Sequence, residues 1–317
     1  RLLPGALMFR HYNARTEGPA IRYGGRMELS ERVEAWRAAG SSESFRGHRI
    51  HVHRRDGSGT PLLILHGFPS SSYDWRPLLD LIPDRPVLAF DMLGFGLSDK
   101  PRDHTYTLGW QADLTEELVR RHFPDQPVFL VGHDMGTSVS TELFAREIEG
   151  RPPFEMTGAL LFNGSMVVEQ ATLTRSQRAL LSPLGGLFTR LSNRRLFGRE
   201  FGEIFSPSHP LSEEEADDQW SLICHNGGRT LGNKLIHYVT ERRRLHDRWH
   251  GAISNWPGRL SLTWGELDPV ATTAVLDAVI GLRPGVPVER LPDLGHYPQI
   301  EDPAAIASAL ATAETRH

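Results

Sequence analysis

Cysteine is nearly missing from this chain. Cys224 is the only one, which excludes an intrachain disulfide and a cysteine-based zinc cluster. No apolar run approaches the roughly 18 residues that a membrane-spanning helix needs, so no membrane span is expected. The apolar stretch within Arg1–Arg10 is too short for a signal peptide and lacks a small-residue cleavage pattern. An excess of either charge is lacking too. The formal net charge is −4 over 317 residues, so no broad basic field is expected to draw in nucleic acid or anionic lipid. Neither an internal repeat nor a low-complexity tract is visible. These absences fit a cytoplasmic enzyme acting on a small molecule, and they say nothing about oligomeric state.

What is present is a pattern of alternation. The length allows one large core with an inserted subdomain, or two small domains. Residues 1–43 read as an N-terminal extension in which Leu29 to Ala39 suits a helix, with Ser30 as its N-cap. Phe45 to Arg54 alternates like a strand or hairpin, and Asp56-Gly57-Ser58-Gly59 reads as a turn. Short apolar runs follow at Pro61–Leu65, Val87–Phe90, Val128–Val131, Ala159–Phe162, Leu260–Trp264 and Val286–Leu291. Helical patterns such as Leu108–His122 and Met135–Glu149 lie between them. Buried strands alternating with helices predict a largely parallel α/β sheet with helices on both faces. The alternation breaks between about Gly164 and Asn255, where segments such as Ser212–His225 and Leu231–Trp249 look helical. The expected organisation is a core of residues 44–163 and 256–317, with a helical cap of residues 164–255 inserted after the sixth main strand.

Four motifs carry chemistry, each where an apolar strand ends. The run Val128 to Val131 enters Gly132-His133-Asp134-Met135-Gly136 and a helix follows, which is the nucleophile-elbow pattern with aspartate in place of serine. The glycines remove side chains that would clash at so tight a turn, and the helix N-terminus favours negative charge. Taken alone, the motif also fits a plain strand-turn-helix with a capping Asp. Leu65 is followed by His66-Gly67-Phe68-Pro69, whose loop can supply one oxyanion-hole amide, from Phe68; the other would come from Met135. Trp264-Gly265-Glu266-Leu267-Asp268-Pro269 places an acid after a strand, and Leu294-Gly295-His296-Tyr297-Pro298 places a histidine after the last one. Nucleophile, acid, histidine is the chain order of such a triad. His66, Gly67, Pro69, His133 and Tyr297, beside these motifs, are expected to line the substrate pocket.

Together with Asp91-Met92-Leu93-Gly94-Phe95-Gly96-Leu97-Ser98-Asp99-Lys100-Pro101, these motifs resemble the epoxide hydrolase and haloalkane dehalogenase branch of the α/β hydrolases. The resemblance runs from about Ser44 to the end. Within the branch, His66 to Trp75, Leu235 to Trp249 and His296 to Pro303 look like hydrolases of the mesoderm-specific transcript type. The resemblance implies the α/β-hydrolase fold, a mostly parallel eight-stranded sheet with helices on both faces and an inserted helical cap. It implies no cofactor and no metal.

A carboxylate nucleophile suits saturated carbon bearing a leaving group. With a reference pKa of about 3.9 it is ionised at neutral pH without a base. The product would be an alkyl ester on Asp134, which water activated by His296, oriented by Asp268, would hydrolyse. An epoxide leaves as an alkoxide and needs a proton donor, and the resemblance assigns that role to cap tyrosines. Tyr238 matches one of them; it also fits a packing residue. The second tyrosine is missing, with His209 a candidate substitute. The expected activity is opening of a small hydrophobic epoxide to a vicinal diol. Haloalkane or haloacid dehalogenation is the alternative, against which stand Phe68 and Met135, neither of them a halide donor, and the missing arginine after the nucleophile. A non-catalytic binding protein on the same scaffold stays open. Asn163 holds the alternative acid position and carries no charge. Arg242-Arg243-Arg244 reads as a solvated helix face.

Overall fold

The structure, a computed structural model, describes residues 28–315; the expectations for Arg1–Arg10 lie outside the described residues. Eight strands form one sheet: β1 (Ser41–Phe45), β2 (His48–Arg55), β3 (Leu62–Leu65), β4 (Val87–Phe90), β5 (Val128–His133), β6 (Met156–Phe162), β7 (Leu260–Gly265) and β8 (Val288–Leu291), in the spatial order β1-β2-β4-β3-β5-β6-β7-β8. β1 and β2 pair antiparallel, as do β2 and β4, and every other neighbouring pair is parallel. The fold class is the one the alternation implied.

The hairpin of β1 and β2 turns on Arg46 and Gly47, both at positive φ (49° and 83°), the geometry that matches the twist of paired strands. It begins at Ser41, so the first strand starts earlier than the Phe45–Arg54 pattern suggested. Ahead of it, helix Glu31–Ala39 is capped by the Ser30 side chain, which accepts from Val33 N.

The central strands are apolar on both faces because helices cover both. Leu63, Leu65, Leu88, Phe90 and Leu130 join one hydrophobic cluster, and Leu62, Ile64, Val87, Ala89, Phe129 and Val131 join the other. That two-residue alternation is the pleat of a strand sorting its side chains to opposite layers. β3 and β5 are neighbours in register, Leu65 opposite Gly132. This brings the His66–Pro69 loop beside the Asp134 turn, both at the carboxyl edge of the sheet, where open α/β sheets collect their ligands.

Between β6 and β7 the described residues form only helices and connections. The helical pattern at Ser212–His225 is helix Glu213–Cys224, capped by the Ser212 side chain, which accepts from Glu215 N. Leu231–Trp249, expected as one helix, is instead three short ones: Gly232–Leu235, Tyr238–Arg244 and His246–Asn255. The breaks turn successive faces inward. Tyr238, Val239 and Arg242 are buried from one, Trp249, Ala252 and Ile253 from the next. This segment is tied to the rest by buried polar contacts. Trp249 Nε1 donates to Glu142 Oε2 at 3.0 Å, Tyr73 OH to Asp218 Oδ2 at 2.6 Å, and Lys100 Nζ to Gly96 O, Leu222 O and His225 O.

Candidate active site

Asp134 sits at φ 44°, ψ −110°, between β5 and helix Met135–Ile148. A β-carbon on Gly136 would lie 2.3 Å from Leu65 O, and one on Gly132 would lie 2.8 Å from Ser140 Oγ. The turn therefore requires both glycines, and the strained φ of Asp134 is held by close packing on each side. Asp134 does not cap its helix with its side chain, so the carboxylate is free to face elsewhere. Its Oδ2 accepts from Phe68 N at 2.8 Å. The amide of Met135 is the first of the helix, where N–H groups have no intrahelical acceptor. The Phe68–Pro69 peptide is cis.

His296 and Asp268 meet as the motif order implied. His296 Nδ1 lies 2.6 Å from Asp268 Oδ2, and both side chains are buried. Since the carboxylate only accepts, Nδ1 carries the hydrogen and Nε2 is left available. Asp268 Oδ1 accepts from Val270 N (2.7 Å) and Ala271 N (3.1 Å), and Oδ2 also accepts from Asn163 Nδ2 (2.8 Å). Burial alone would lower the His296 pKa, but the Asp268 charge, its hydrogen bond and the Asp134 charge outweigh that and raise it. Burial would raise that of Asp268, yet the partner imidazole and these hydrogen bonds bring it below the usual value.

Arg242 is the principal correction. Far from a solvated helix face, it is 3 % exposed. Its Nε donates to Ser138 Oγ at 2.7 Å, and its Nη2 donates to Asp134 O at 3.1 Å and lies 3.6 Å from Asp134 Oδ1. Its guanidinium also stands over the Tyr238 ring, 4.6 Å from the centroid. Arg242 follows Tyr238 by four positions, so the two share a helix face; that spacing was the signal available in the sequence. Burial, then the charge of Asp134, pushes the Tyr238 pKa up against the opposing pull of Arg242, which keeps the phenol protonated. The Tyr238 ring lies 5.6 Å from that of Phe68.

A cavity of about 150 Å³ opens beside these groups. Its lining includes Phe68, Pro69 and His296, the loop residues Gly94, Phe95 and Gly96, and helical residues such as Phe188 and Phe197. A smaller one, about 20 Å³, is lined by Tyr238, Arg242, Arg243 and Ser165; Gln177 and Val270 border both. Asp134, 2 % exposed, lines neither: its partner Phe68 faces the large cavity and its partner Arg242 the small one.

Of the five residues expected to line the pocket, Pro69 does. The other four line neither cavity and instead make contacts within the surrounding loops. His66 Nε2 accepts from Met92 N (3.0 Å) and its Nδ1 donates to Gly67 O (2.8 Å). Gly67 abuts Asp134, whose β-carbon would lie 2.7 Å from an added one. His133 Nε2 donates to His296 O at 2.7 Å, and its Nδ1 accepts from Gln299 Nε2 at 3.1 Å. Burial, then the neighbouring His296, lowers its pKa to about 3, so it stays neutral. Tyr297 OH is 3.3 Å from both Phe68 O and Ser70 Oγ. His209 is 3.4 Å from Ser206 Oγ and lines neither cavity. Asn163, set aside for lacking charge, clamps Asp268 to β7: its Oδ1 accepts from Gly265 N at 2.9 Å while its Nδ2 holds the carboxylate. Among the described residues no group of three His, Cys, Asp or Glu side chains is arranged to hold a metal.

Residues 60–303 match the model of the alpha/beta hydrolase fold family. The chain belongs to that family. It is 47 % identical over 280 residues to LipZ of Mycobacterium tuberculosis, a protein named as a hydrolase, covering 88 % of this chain and 97 % of the relative. It is 33 % identical to the mesoderm-specific transcript protein of Mus musculus, covering 89 % and 88 %. Among solved structures, the haloalkane dehalogenase DbeA from Bradyrhizobium elkani shares the fold at a TM-score of 0.73 and 23 % identity, covering 87 % of this chain and 97 % of that one. No helix among the described residues is long and apolar enough to cross a membrane.

Proposed function

We propose that this hydrolase opens an epoxide to a vicinal diol through an alkyl ester on Asp134, and that residues 164–255 act as the cap enclosing the substrate. The observation that carries the reading is the asymmetric setting of the Asp134 carboxylate. Oδ2 rests on the Phe68 amide, while Oδ1 faces the cap side, where Arg242 stands over Tyr238.

In the first step Oδ1 attacks a ring carbon, the carbon–oxygen bond of the epoxide breaks, and the alkoxide takes the Tyr238 proton. The phenolate left behind is next to the Arg242 cation, which supplies the charge stabilisation that a second tyrosine would otherwise share. In the second step water loses a proton to His296 Nε2 and attacks the ester carbon. The oxyanion forms on Oδ2, where Phe68 N already donates and the Met135 amide is available. Collapse expels the diol oxygen, which takes the proton from the imidazolium, and the Asp134 carboxyl returns its proton to Tyr238. The sum is epoxide plus water to diol.

Arg242 also favours a second reading. A guanidinium within 4 Å of the nucleophile could grip the carboxylate of a 2-haloacid, the role that sequence alone found vacant. Intact-mass spectrometry of His296→Ala separates the two. An epoxide adds its whole mass to the protein, whereas a haloacid adds its mass less the hydrogen halide. No adduct from either panel sinks both readings.

A further inference from the structure

The stretch from Ala171 to Arg199 carries Arg175, Arg178, Arg190, Arg194, Arg195 and Arg199 and no aspartate or glutamate, in a chain of net charge −4. Arg194 is paired with Glu213 and Asp217, Arg199 with Glu200, and Arg175 lies near Glu200. Arg178, Arg190 and Arg195 are exposed and make no ion pair among the described residues. Exposed Arg229 joins them, its Nη1 donating to Arg190 O and Ser192 O at the end of helix Gly185–Leu191. That helix and the residue before it present Leu184, Leu187 and Leu191 to solvent, at 68 %, 52 % and 68 % exposure.

Spacings of three and four residues put these leucines on one helical face, with Arg190 three residues past Leu187. Single exposed apolar side chains are ordinary, but a stripe of them on a helix that also carries exposed Arg190, with Arg229 bound at its end, in a segment whose other exposed arginines include unpaired Arg178 and Arg195, is the composition of an interfacial element. The same segment turns other side chains inward: Leu180, Phe188, Thr189 and Leu196 line the large cavity.

We propose that this face docks the protein on an anionic lipid bilayer, with the leucines at the boundary of headgroup and acyl chain and the arginines on lipid phosphates. The low net charge of the chain excludes a broad basic field but hides this local concentration of cations. The unpaired cations select an anionic partner, and the leucines select one with an apolar interior beneath its charge. A second copy joined through the same face would oppose the arginines to one another. The proposal does not depend on the reaction proposed above.

Co-sedimentation of the full chain with phosphatidylglycerol and with phosphatidylcholine vesicles tests it. Binding is expected to the first and not the second, falling as salt rises. Arg178→Gln, Arg190→Gln and Arg195→Gln should each weaken it roughly fivefold, and the combined change Leu184→Ser, Leu187→Ser, Leu191→Ser by about tenfold or more. Hydrogen exchange over residues 182–192 of the unaltered protein should slow only with anionic vesicles present, which needs no variant to fold. No partition onto phosphatidylglycerol, equal binding by the leucine variant, unchanged exchange with vesicles, or protection arising from self-association without them would each overturn the proposal.

Discussion

Arg242 Nη2 lies 3.6 Å from Asp134 Oδ1 and donates to the Asp134 backbone carbonyl at 3.1 Å. A cation from the helical segment between β6 and β7 and the elbow carboxylate are thus joined across 108 residues, with Ser138 on the following helix turn completing the anchor. If Arg242 stabilises the phenolate formed in ring opening, Arg242→Gln should slow alkylation of Asp134 by roughly 10²-fold, with a smaller effect on hydrolysis of the ester once formed. Single-turnover kinetics read the two steps separately, and equal slowing of both would assign Arg242 to general architecture. Because removing one member of a buried charge pair is costly, Arg242→Ala should also lower unfolding stability, by about 3 kcal/mol in urea titration.

Tyr238→Phe removes the proposed acid while keeping the ring against Phe68 and under the guanidinium. Epoxide-dependent ester formation should fall by roughly 10²-fold. A haloacid needs no proton for its leaving group, so ester formation from one should be nearly unchanged. Slowing of both substrates alike would show that the ring, rather than the hydroxyl, matters.

His296 must be neutral to take a proton from water. With Asp134 free, the His296 pKa is raised above the ordinary 6.5; in the ester the Asp134 charge is lost while the larger influences of the Asp268 charge and hydrogen bond remain, so the hydrolytic step should fall away on acidification, slow below its midpoint and fast above. Asp268→Asn removes the carboxylate charge, the largest of the raising influences. It should move the midpoint downward and slow the plateau by roughly 10²-fold, since the imidazole also loses its orienting acceptor. A midpoint that stays put in Asp268→Asn would detach this acid from His296 function.

The fold was legible because its signals are local and repeated. Runs such as Leu62–Leu65 and Val87–Phe90 are apolar at every position, and only a strand covered on both faces needs that. Asp134 was legible because Gly132 and Gly136 are forced by contacts with Ser140 and Leu65, and a forced glycine leaves a mark in the sequence. The segment between β6 and β7 was less legible. Its helices are short, and the breaks near Ile236 and Leu245 carry neither Pro nor Gly. Arg242 was hidden by its neighbours, because Arg243 and Arg244 are exposed and the three together look solvated. Asn163 was dismissed for having no charge, although its work is to donate to Asp268 and accept from Gly265. His133 and Tyr297 were adjacent to the right motifs, but adjacency in the chain does not say which side of a wall a ring occupies.

Asn163→Asp follows from that geometry. The amide at 2.8 Å from Asp268 Oδ2 would become a second carboxylate facing the first. Two like charges that close do not both stay ionised, so one would hold a proton and the grip on His296 Nδ1 would weaken. Ester hydrolysis should slow while ester formation at Asp134 continues, leaving the covalent adduct to accumulate in intact-mass spectra. If the adduct fails to accumulate, Asn163 does not act through Asp268.

The order of events at Asp134 has its own isotopic signature. With enzyme in excess in ¹⁸O-labelled water, the first turnover of the proposed reaction should place an Asp134 oxygen in the diol, because in that order of steps Oδ1 bonds to carbon and water attacks the carboxyl carbon. The diol from that turnover should be unlabelled and the label should appear in the peptide containing Asp134. When substrate is then added in excess, later turnovers should release labelled diol as the exchanged carboxylate is used again. Diol labelled in the first turnover would mean that water attacks the ring directly, and Asp134 would then be a base rather than a nucleophile.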